Sequence, residues 1–444
     1  LDSCIQLIIP LLPQIAVNIE YFSSITELQN ILKSGEKLII YGNGRSYGDQ
    51  ALGKHVVISK KYNYITQFDT QKGVITCQCG VTLEEILDVI VPKGWFLPVT
   101  PGTKYITVGG AVASDVHGKN HHKEGTFCDH VLSIDVMLPS GSIVTCSKKK
   151  NQELFKATCG GNGLTGVILN VTFSLKKIET AYITQRTIKA KNIEQLLHAI
   201  EKNEHYTYAV AWIDCVAKGK NLGRGVLLLG EHASVNDLPK NKRKSPLRLK
   251  KKPKLGVPFM LPNFLLNGLS IKIFNWLYYH KEKNGVHDSI IDYNSFFYPL
   301  DSIDNWNRIY GKRGFTQYQF VVPKKVGLEG ISAIIKKISH YGKGSFLAVL
   351  KTAGPYNGNY LSFPMEGYTL ALDFPISKGL FPFLDELDEV ILQYGGRLYP
   401  TKDVRMKEAF FKVSYPDMNK FIKVRKNIKA NATFESLQSK RLGL

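Results

Sequence analysis

The chain lacks the staples and spans that would place it among disulfide scaffolds or membrane-embedded proteins. Its cysteines, Cys4, Cys77, Cys79, Cys128, Cys146, Cys159 and Cys215, number seven and form no CxxC pair. An odd, scattered set argues against a disulfide framework or zinc ribbon and fits a reducing compartment. Long apolar runs are missing too. Leu7 to Val17 is short, contains Pro10 and Pro13 and follows Asp2 rather than a basic flank, so neither a transmembrane helix nor a signal peptide is expected there. No internal repeat occurs. Only 19 prolines, with aromatics at 11%, exclude a disordered or collagen-like chain. Acid is absent from Lys240 to Lys254, where nine Lys/Arg supply nine of the net +21. What is present is length: 444 residues, 44% of them apolar, suffice for two or three domains with their own cores.

The first 180 residues alternate short β-rich runs (Lys37 to Tyr41, Val56 to Ser59, Val74 to Gln78, Val131 to Met137) with glycine turns. Thr82 to Glu85 is a capping box that opens a helix ending before Gly94, and Asn151 is positioned to cap another. Without regular βαβ alternation, the fold class expected is α+β. From residue 181 the runs Tyr206 to Asp214, Thr316 to Val322 and Tyr368 to Phe374 alternate, predicting a half-buried antiparallel sheet. Helices near 193–203, 325–340 and 380–394 would cover one face, the last stopping at Gly395-Gly396. After the basic run comes an apolar stretch, Leu255 to Tyr279, broken by Pro258, Pro262 and Gly268. A mobile solvated loop and an anionic-membrane surface both fit this pairing. Nucleic acid fits poorly, since no recognition fold or stacking motif accompanies the charge.

Three glycine-rich motifs carry the chemistry. The first is Ile40-Tyr41-Gly42-Asn43-Gly44-Arg45-Ser46-Tyr47-Gly48-Asp49-Gln50, directly after a strand. It fails as a Rossmann fingerprint, because the third glycine position is Tyr47 and no helix follows. Gly44 to Gly48 spells the GxSxG of a hydrolase elbow, but a loop rather than a helix follows Ser46. A backbone cradle for a diphosphate remains. The second runs from Pro101 and Gly102 through Thr107-Val108-Gly109-Gly110 to Ser114-Asp115-Val116-His117, Gly118-Lys119 and His121-His122. Its small residues suit a helix start against a flat ligand. Gly118, the missing glutamate after His117 and the adjacent His121-His122 argue against a metal site. The third is Cys159 to Gly166, with four glycines, running into a strand. Three close backbone approaches in one α+β domain point to one extended dinucleotide.

Together these motifs resemble the FAD-binding (PCMH-type) domain of the vanillyl-alcohol-oxidase superfamily, and most closely its branch that oxidises polyprenylphosphoryl ribose. The likeness continues through Ala211-Trp212, Tyr310-Gly311, Gln317 to Phe320, Asp373 to Pro375, Gly395 to Tyr399 and Lys402-Asp403. It implies an FAD domain over 1–180, a substrate domain over 181–396 containing the 240–279 segment, and a 397–444 segment returning to the first domain. It implies FAD contacts from the first motif, Gly102, Thr107 to Gly110, Ser114 to His117, Ile168 and Tyr399. Tyr47 stands where covalently linked relatives often carry histidine, so the FAD is expected to be dissociable. Lys402, Tyr47 and His117 are the catalytic candidates, with no base singled out among them. Trp212, Tyr310, Gln317, Gln319, Lys351, Thr369 and Lys402 are the substrate-wall candidates. The implied reaction converts the 2′-hydroxyl of a polyprenylphosphoryl ribose to a ketone, with an NAD(P)H reductase partner completing epimerisation at the cytoplasmic membrane surface. A soluble sugar or aldonolactone oxidase and a flavin-free basic binding protein are the alternatives. The likeness departs at Ala371, where relatives carry a cysteine trapped by nitroaromatic inhibitors, and at Thr369, in place of asparagine.

Overall fold

Period-two alternation sets the main sheet. In the computed structural model, which describes residues 13, 15–250, 253–342 and 344–444, eight antiparallel strands form one sheet. Their order is Val286–Asp292, Tyr182–Ala190, Gly225–His232, Tyr208–Ile213, Ala348–Ala353, Gly367–Pro375, Phe315–Pro323 and Arg397–Leu398. Cys4, Lys251, Lys252 and most of Leu7 to Val17 lie outside the described residues. Ala209, Ala211 and Ile213, with Tyr318, Phe320 and Val322, turn into the core, whereas Val210, Trp212, Gln317 and Gln319 line a cavity on the opposite face. The expected helices, observed as Ile193–Lys202, Gly327–Tyr341 and Leu380–Gln393, cover the core face. Ile331, Ile334, Ile335 and Ile338 are a buried stripe at helical spacing. Each such side chain contributes about 1.5–3 kcal/mol through burial.

The N-terminal region holds three smaller sheets, one of them the antiparallel pair of Trp95–Phe96 with Lys176–Lys177. Asn18–Tyr21, His55–Ile58 and Ile39–Tyr41 pair in parallel, in that order. Ile65–Asp69, Val74–Gln78, Val167–Ser174, Val131–Met137 and Ile143–Cys146 form a five-stranded antiparallel sheet. The α+β expectation holds. The capping box forms as read: Thr82 Oγ1 accepts from the Glu85 amide at 3.3 Å, and Glu85 Oε2 accepts from the Thr82 amide at 2.7 Å.

Two local expectations need correction. Asn151 does not cap the helix Gln152–Thr158: its backbone is left-handed (φ 50°), and its side-chain amide donates instead to the Thr145 carbonyl at 2.9 Å. Asn tolerates that conformation better than most residues, so it serves the preceding turn. Second, Gly268 does not break the apolar stretch. It begins a 14-residue helix, Gly268–Lys281, because the Asn267 side chain accepts the Leu269 and Ser270 amides.

The chain's last part stitches the sheets together. Arg397–Leu398 adds to the edge of the large sheet, Leu38 bridges to Phe434 beside the parallel sheet, and Arg441 pairs with Asp49 at 2.6 Å and Asp403 at 2.9 Å. The six described cysteines are free and buried. Among the described residues, no helix is long and apolar enough to cross a membrane.

Candidate active site

The loop following Ile39–Tyr41 stays irregular until His55–Ile58, so no helix stands behind Ser46 and the hydrolase elbow is absent. The loop is held from two sides. Asn43 donates to the Tyr105 carbonyl at 2.7 Å, while the amides of Tyr47 and Gly48 donate to the Thr401 carbonyl at 3.1 Å each. The helix Val108–Ala113 begins at Thr107, whose hydroxyl accepts the Gly110 amide at 3.2 Å. A Cβ at Gly109 would lie 2.8 Å from Cys79 Cβ, so glycine lets this helix press onto the strand end. The third motif packs on the far end of the same helix: Gly160 donates to the Val112 carbonyl at 3.0 Å and Asn162 to the Ala113 carbonyl at 2.8 Å. All three motifs therefore line one cavity of 650 Å³.

The opposite wall is the large sheet. Register places Trp212 against Val349, Val349 against Ala371, and Ala371 against Gln319. A neighbouring rung pairs Lys351 with Thr369. Where the two walls meet, the Gln319 amide lies 3.1 Å from His117 Nε2 and donates to Thr369 Oγ1 at 3.2 Å. Lys351 Nζ is 3.5 Å from His117 Nδ1. Lys402, on the turn after Arg397–Leu398, sits 3.9 Å from the centre of the Tyr47 ring. Asp373 accepts from Gln317 at 2.5 Å and from the Tyr310 hydroxyl at 3.3 Å.

Desolvation dominates the electrostatics. Burial pulls Lys402 down to about 7, with Asp373 opposing and Lys351 reinforcing the shift. Burial alone pulls Lys351 to about 8. Burial, then Lys351, holds His117 well below the ordinary imidazole range, so that ring stays neutral. Burial, then Asp373, pushes the Tyr47 phenol well above its ordinary value. Asp373 itself is raised to about 6 by burial. Lys402 is thus the catalytic candidate that changes charge near neutral pH.

Not every expected residue reaches the cavity. Gly48, Asp49, Val108 and Asp115 lie outside its wall. A Cβ at Gly48 would fall 2.5 Å from the Asp403 carbonyl, so this glycine serves the contact with the 400–403 turn. Asp49 pairs with Arg441, and Val108 is core. Asp115 accepts from Ser362 at 2.7 Å, Asn357 at 2.9 Å and Asn359 at 3.0 Å, which ties the second motif to the substrate side. Tyr310 and Thr369 stand one layer behind, acting on Asp373 and Gln319. The remaining expected residues, Gly102, Ile168 and Tyr399 among them, line the cavity.

Several residues escaped the sequence reading. Lys119 lines the cavity, is drawn down to about 7 by burial, and donates to the Phe296 carbonyl. Its signal was its place within the second motif. Asp373 opens the Asp373 to Pro375 run, but only the fold places its carboxylate against Gln317. Asp301, Asn305 and Trp306 reach the wall from a segment with no distinguishing pattern. No group of three or more His, Cys, Asp or Glu among the described residues is arranged to hold a metal.

The cavity fits FAD by its own inventory. Arg45 Nε, Gln50 Oε1 and Asn162 Oδ1 are buried, line it and have no hydrogen-bond partner in the protein, leaving polar groups for a large polar ligand to satisfy. A family model described as an FAD binding domain matches residues 19–147. The decaprenylphosphoryl-β-D-ribose oxidase of Mycolicibacterium smegmatis is 37% identical over 417 residues, covering 93% of this chain and 90% of that protein. An uncharacterised Streptomyces coelicolor protein is 30% identical over 82% of this chain and the whole of its own length. Mouse L-gulonolactone oxidase matches at 26% over 42% of this chain and 43% of its own. An FAD domain, an oxidase relative along nearly the whole length and a lysine-lined pocket where two sheets meet converge on one conclusion: the chain belongs to the decaprenylphosphoryl-β-D-ribose oxidase family of FAD-dependent oxidoreductases.

Proposed function

We propose that the protein oxidises the 2′-hydroxyl of a polyprenylphosphoryl-β-D-ribose to the 2-keto sugar, the first half of epimerisation to an arabinose donor for cell-wall polysaccharide. An NAD(P)H-dependent reductase then supplies the hydride that restores the alcohol with inverted configuration. The supporting observation is Lys402, a part-buried amine drawn down to about 7, in one cavity with Gln317, Gln319 and Lys351. Residues 1–180 form the FAD domain, 181–396 the substrate domain, and 397–444 returns to bring Lys402 between them.

FAD, when bound, supplies the acceptor for the two electrons and hydrogen lost from C2. The protein's residues do the rest. The 40–47 loop with Gln50, then Thr107, Gly109, Gly110, Ser114, Val116 and His117, would hold the cofactor without a covalent bond, so acid precipitation releases the flavin into solution. Gln317, Gln319 and Trp212 orient the sugar, and Lys351 meets the phosphate as a point charge. Neutral Lys402 accepts the hydroxyl proton as the C2–H bond breaks and the carbonyl forms. Neutral His117 orients Gln319 and takes up no second proton in the working range. Turnover with an artificial electron acceptor separates this reading from a lactone oxidase: a short-chain polyprenylphosphoryl ribose should be consumed and L-gulonolactone should not. The reverse preference would refute it.

The wall at Ala371 makes a further expectation. No thiol stands on that strand position, and its neighbours Gln319 and Val349 offer none. Nitroaromatic inhibitors that trap the relatives' cysteine should leave the intact mass unchanged here, while Ala371→Cys should gain the adduct. A stable adduct on the native chain would contradict the assigned register.

A further inference from the structure

Of the 18 large apolar side chains left exposed among the described residues, eight fall between Leu255 and Leu277. Such clustering departs from the scatter of single exposed residues ordinary on a protein surface. The helix Gly268–Lys281 carries five of them and is apolar on both faces. Its inner face is anchored: Ile271 is buried, Asn275 donates to Asp214 at 2.9 Å, and Lys189 and Arg224 lie over the Tyr279 ring. Its outer face presents Leu269 (67% exposed), Ile273, Trp276 and Leu277, whose spacing puts them on one side. A helix fixed on one face and bare on the other needs a further apolar phase.

Charge and position identify that phase. Between Leu238 and Lys281 the sequence holds eleven Lys/Arg and no acid. The same helix delivers Tyr278 to the cavity wall, its ring 4.5 Å from that of Trp212. The strand Leu255–Gly256 pairs with Ile303–Asp304, which also lines the cavity. An exposed apolar helix face flanked by cations and no acid suits a fluid anionic lipid surface.

We infer that the outer face of Gly268–Lys281, with Leu255–Gly256 and the basic residues from Lys240 to Lys250, docks the protein on an anionic phospholipid bilayer beside the rim of the substrate cavity. Docking itself requires no substrate; only its use, drawing a lipid-borne sugar into the cavity, rests on the function proposed above. The test uses full-length protein with FAD and vesicles of phosphatidylcholine, with or without equal phosphatidylglycerol. The native protein should partition onto the anionic vesicles and weaken several-fold at high salt. The triple variant Leu269→Glu, Ile273→Glu, Leu277→Glu should lose at least tenfold in partitioning. Should that variant fold poorly, the exposed charge reversals Lys240→Glu, Lys244→Glu and Lys250→Glu should still lower anionic partitioning several-fold. Trp276→Phe should remove a vesicle-induced blue shift of emission. Unchanged partitioning in both variant sets would overturn the assignment. So would an oligomer that the triple substitution dissociates while vesicles bind neither form, which would make the helix face a protein interface. Turnover of a water-soluble substrate should stay within twofold in the triple variant. Vesicle binding without activity on polyprenylphosphoryl ribose would leave docking in place and refute the substrate instead.

Discussion

Replacing Lys402 by methionine is expected to slow substrate-driven flavin reduction by roughly 10³, within the range that a positioned general base supplies. Methionine approximates the length of the side chain while removing the amine and, with it, the amine's contact with the Tyr47 ring. FAD content should stay near that of the native protein. The other two candidates do not fill the role: Tyr47 keeps its proton far above neutrality, and His117 gives up its second proton far below it. Of the three candidates, only Lys402 crosses between forms near 7. With the neutral amine as the proposed base, kcat/KM for the reductive step should rise with pH through about 7 and then level. Asp373 favours the charged lysine, so Asp373→Asn should move that rise to lower pH. A rate that falls through the same range would mean that the ammonium form holds the sugar and the base lies elsewhere.

Gly109→Ala should raise the dissociation constant for FAD about tenfold or more, from overpacking of roughly 1–3 kcal/mol. The added methyl would stand 2.8 Å from Cys79 Cβ and 3.2 Å from the Cys79 carbonyl. That contact is braced by the Gly109 amide donating to the same carbonyl at 2.9 Å and Val108 donating to Val81 at 2.8 Å, so the helix start must move as a unit. Cys79→Gly removes the nearer obstacle, and the double variant should recover much of the affinity. Fluorescence titration of apoprotein with FAD measures all three. Equal affinity in Gly109→Ala and native protein would show that the close approach of this helix does not shape the cofactor site.

Glycine patterns and alternation were the legible part of the chain. Thr82 to Glu85, the 316–322 alternation and the Gly395-Gly396 stop express local rules, and the fold honours them because nothing distant competes. The cofactor wall was legible for a related reason: backbone that approaches a ligand closely must be glycine-rich, and such runs are visible one residue at a time. What could not be read depends on distance in sequence. Asp373 matters through Gln317, 56 residues away. Asp115 looks like a ligand contact in its motif but spends its carboxylate on residues 357–362. Lys119 is an ordinary lysine in sequence and a cavity-lining amine drawn down to about 7 only in the fold. The Gly268–Lys281 helix was hidden because prolines and a glycine precede or begin it, where helix-breaking rules apply most strongly and an Asn cap overrides them.

The most direct measurement is an anaerobic absorbance spectrum of FAD-loaded protein before and after a short-chain polyprenylphosphoryl ribose is added. The flavin band should bleach within the time of mixing, with one equivalent of 2-keto sugar recovered per flavin. It should remain oxidised with L-gulonolactone. A flavin that stays oxidised with the ribose lipid would contradict the proposed function.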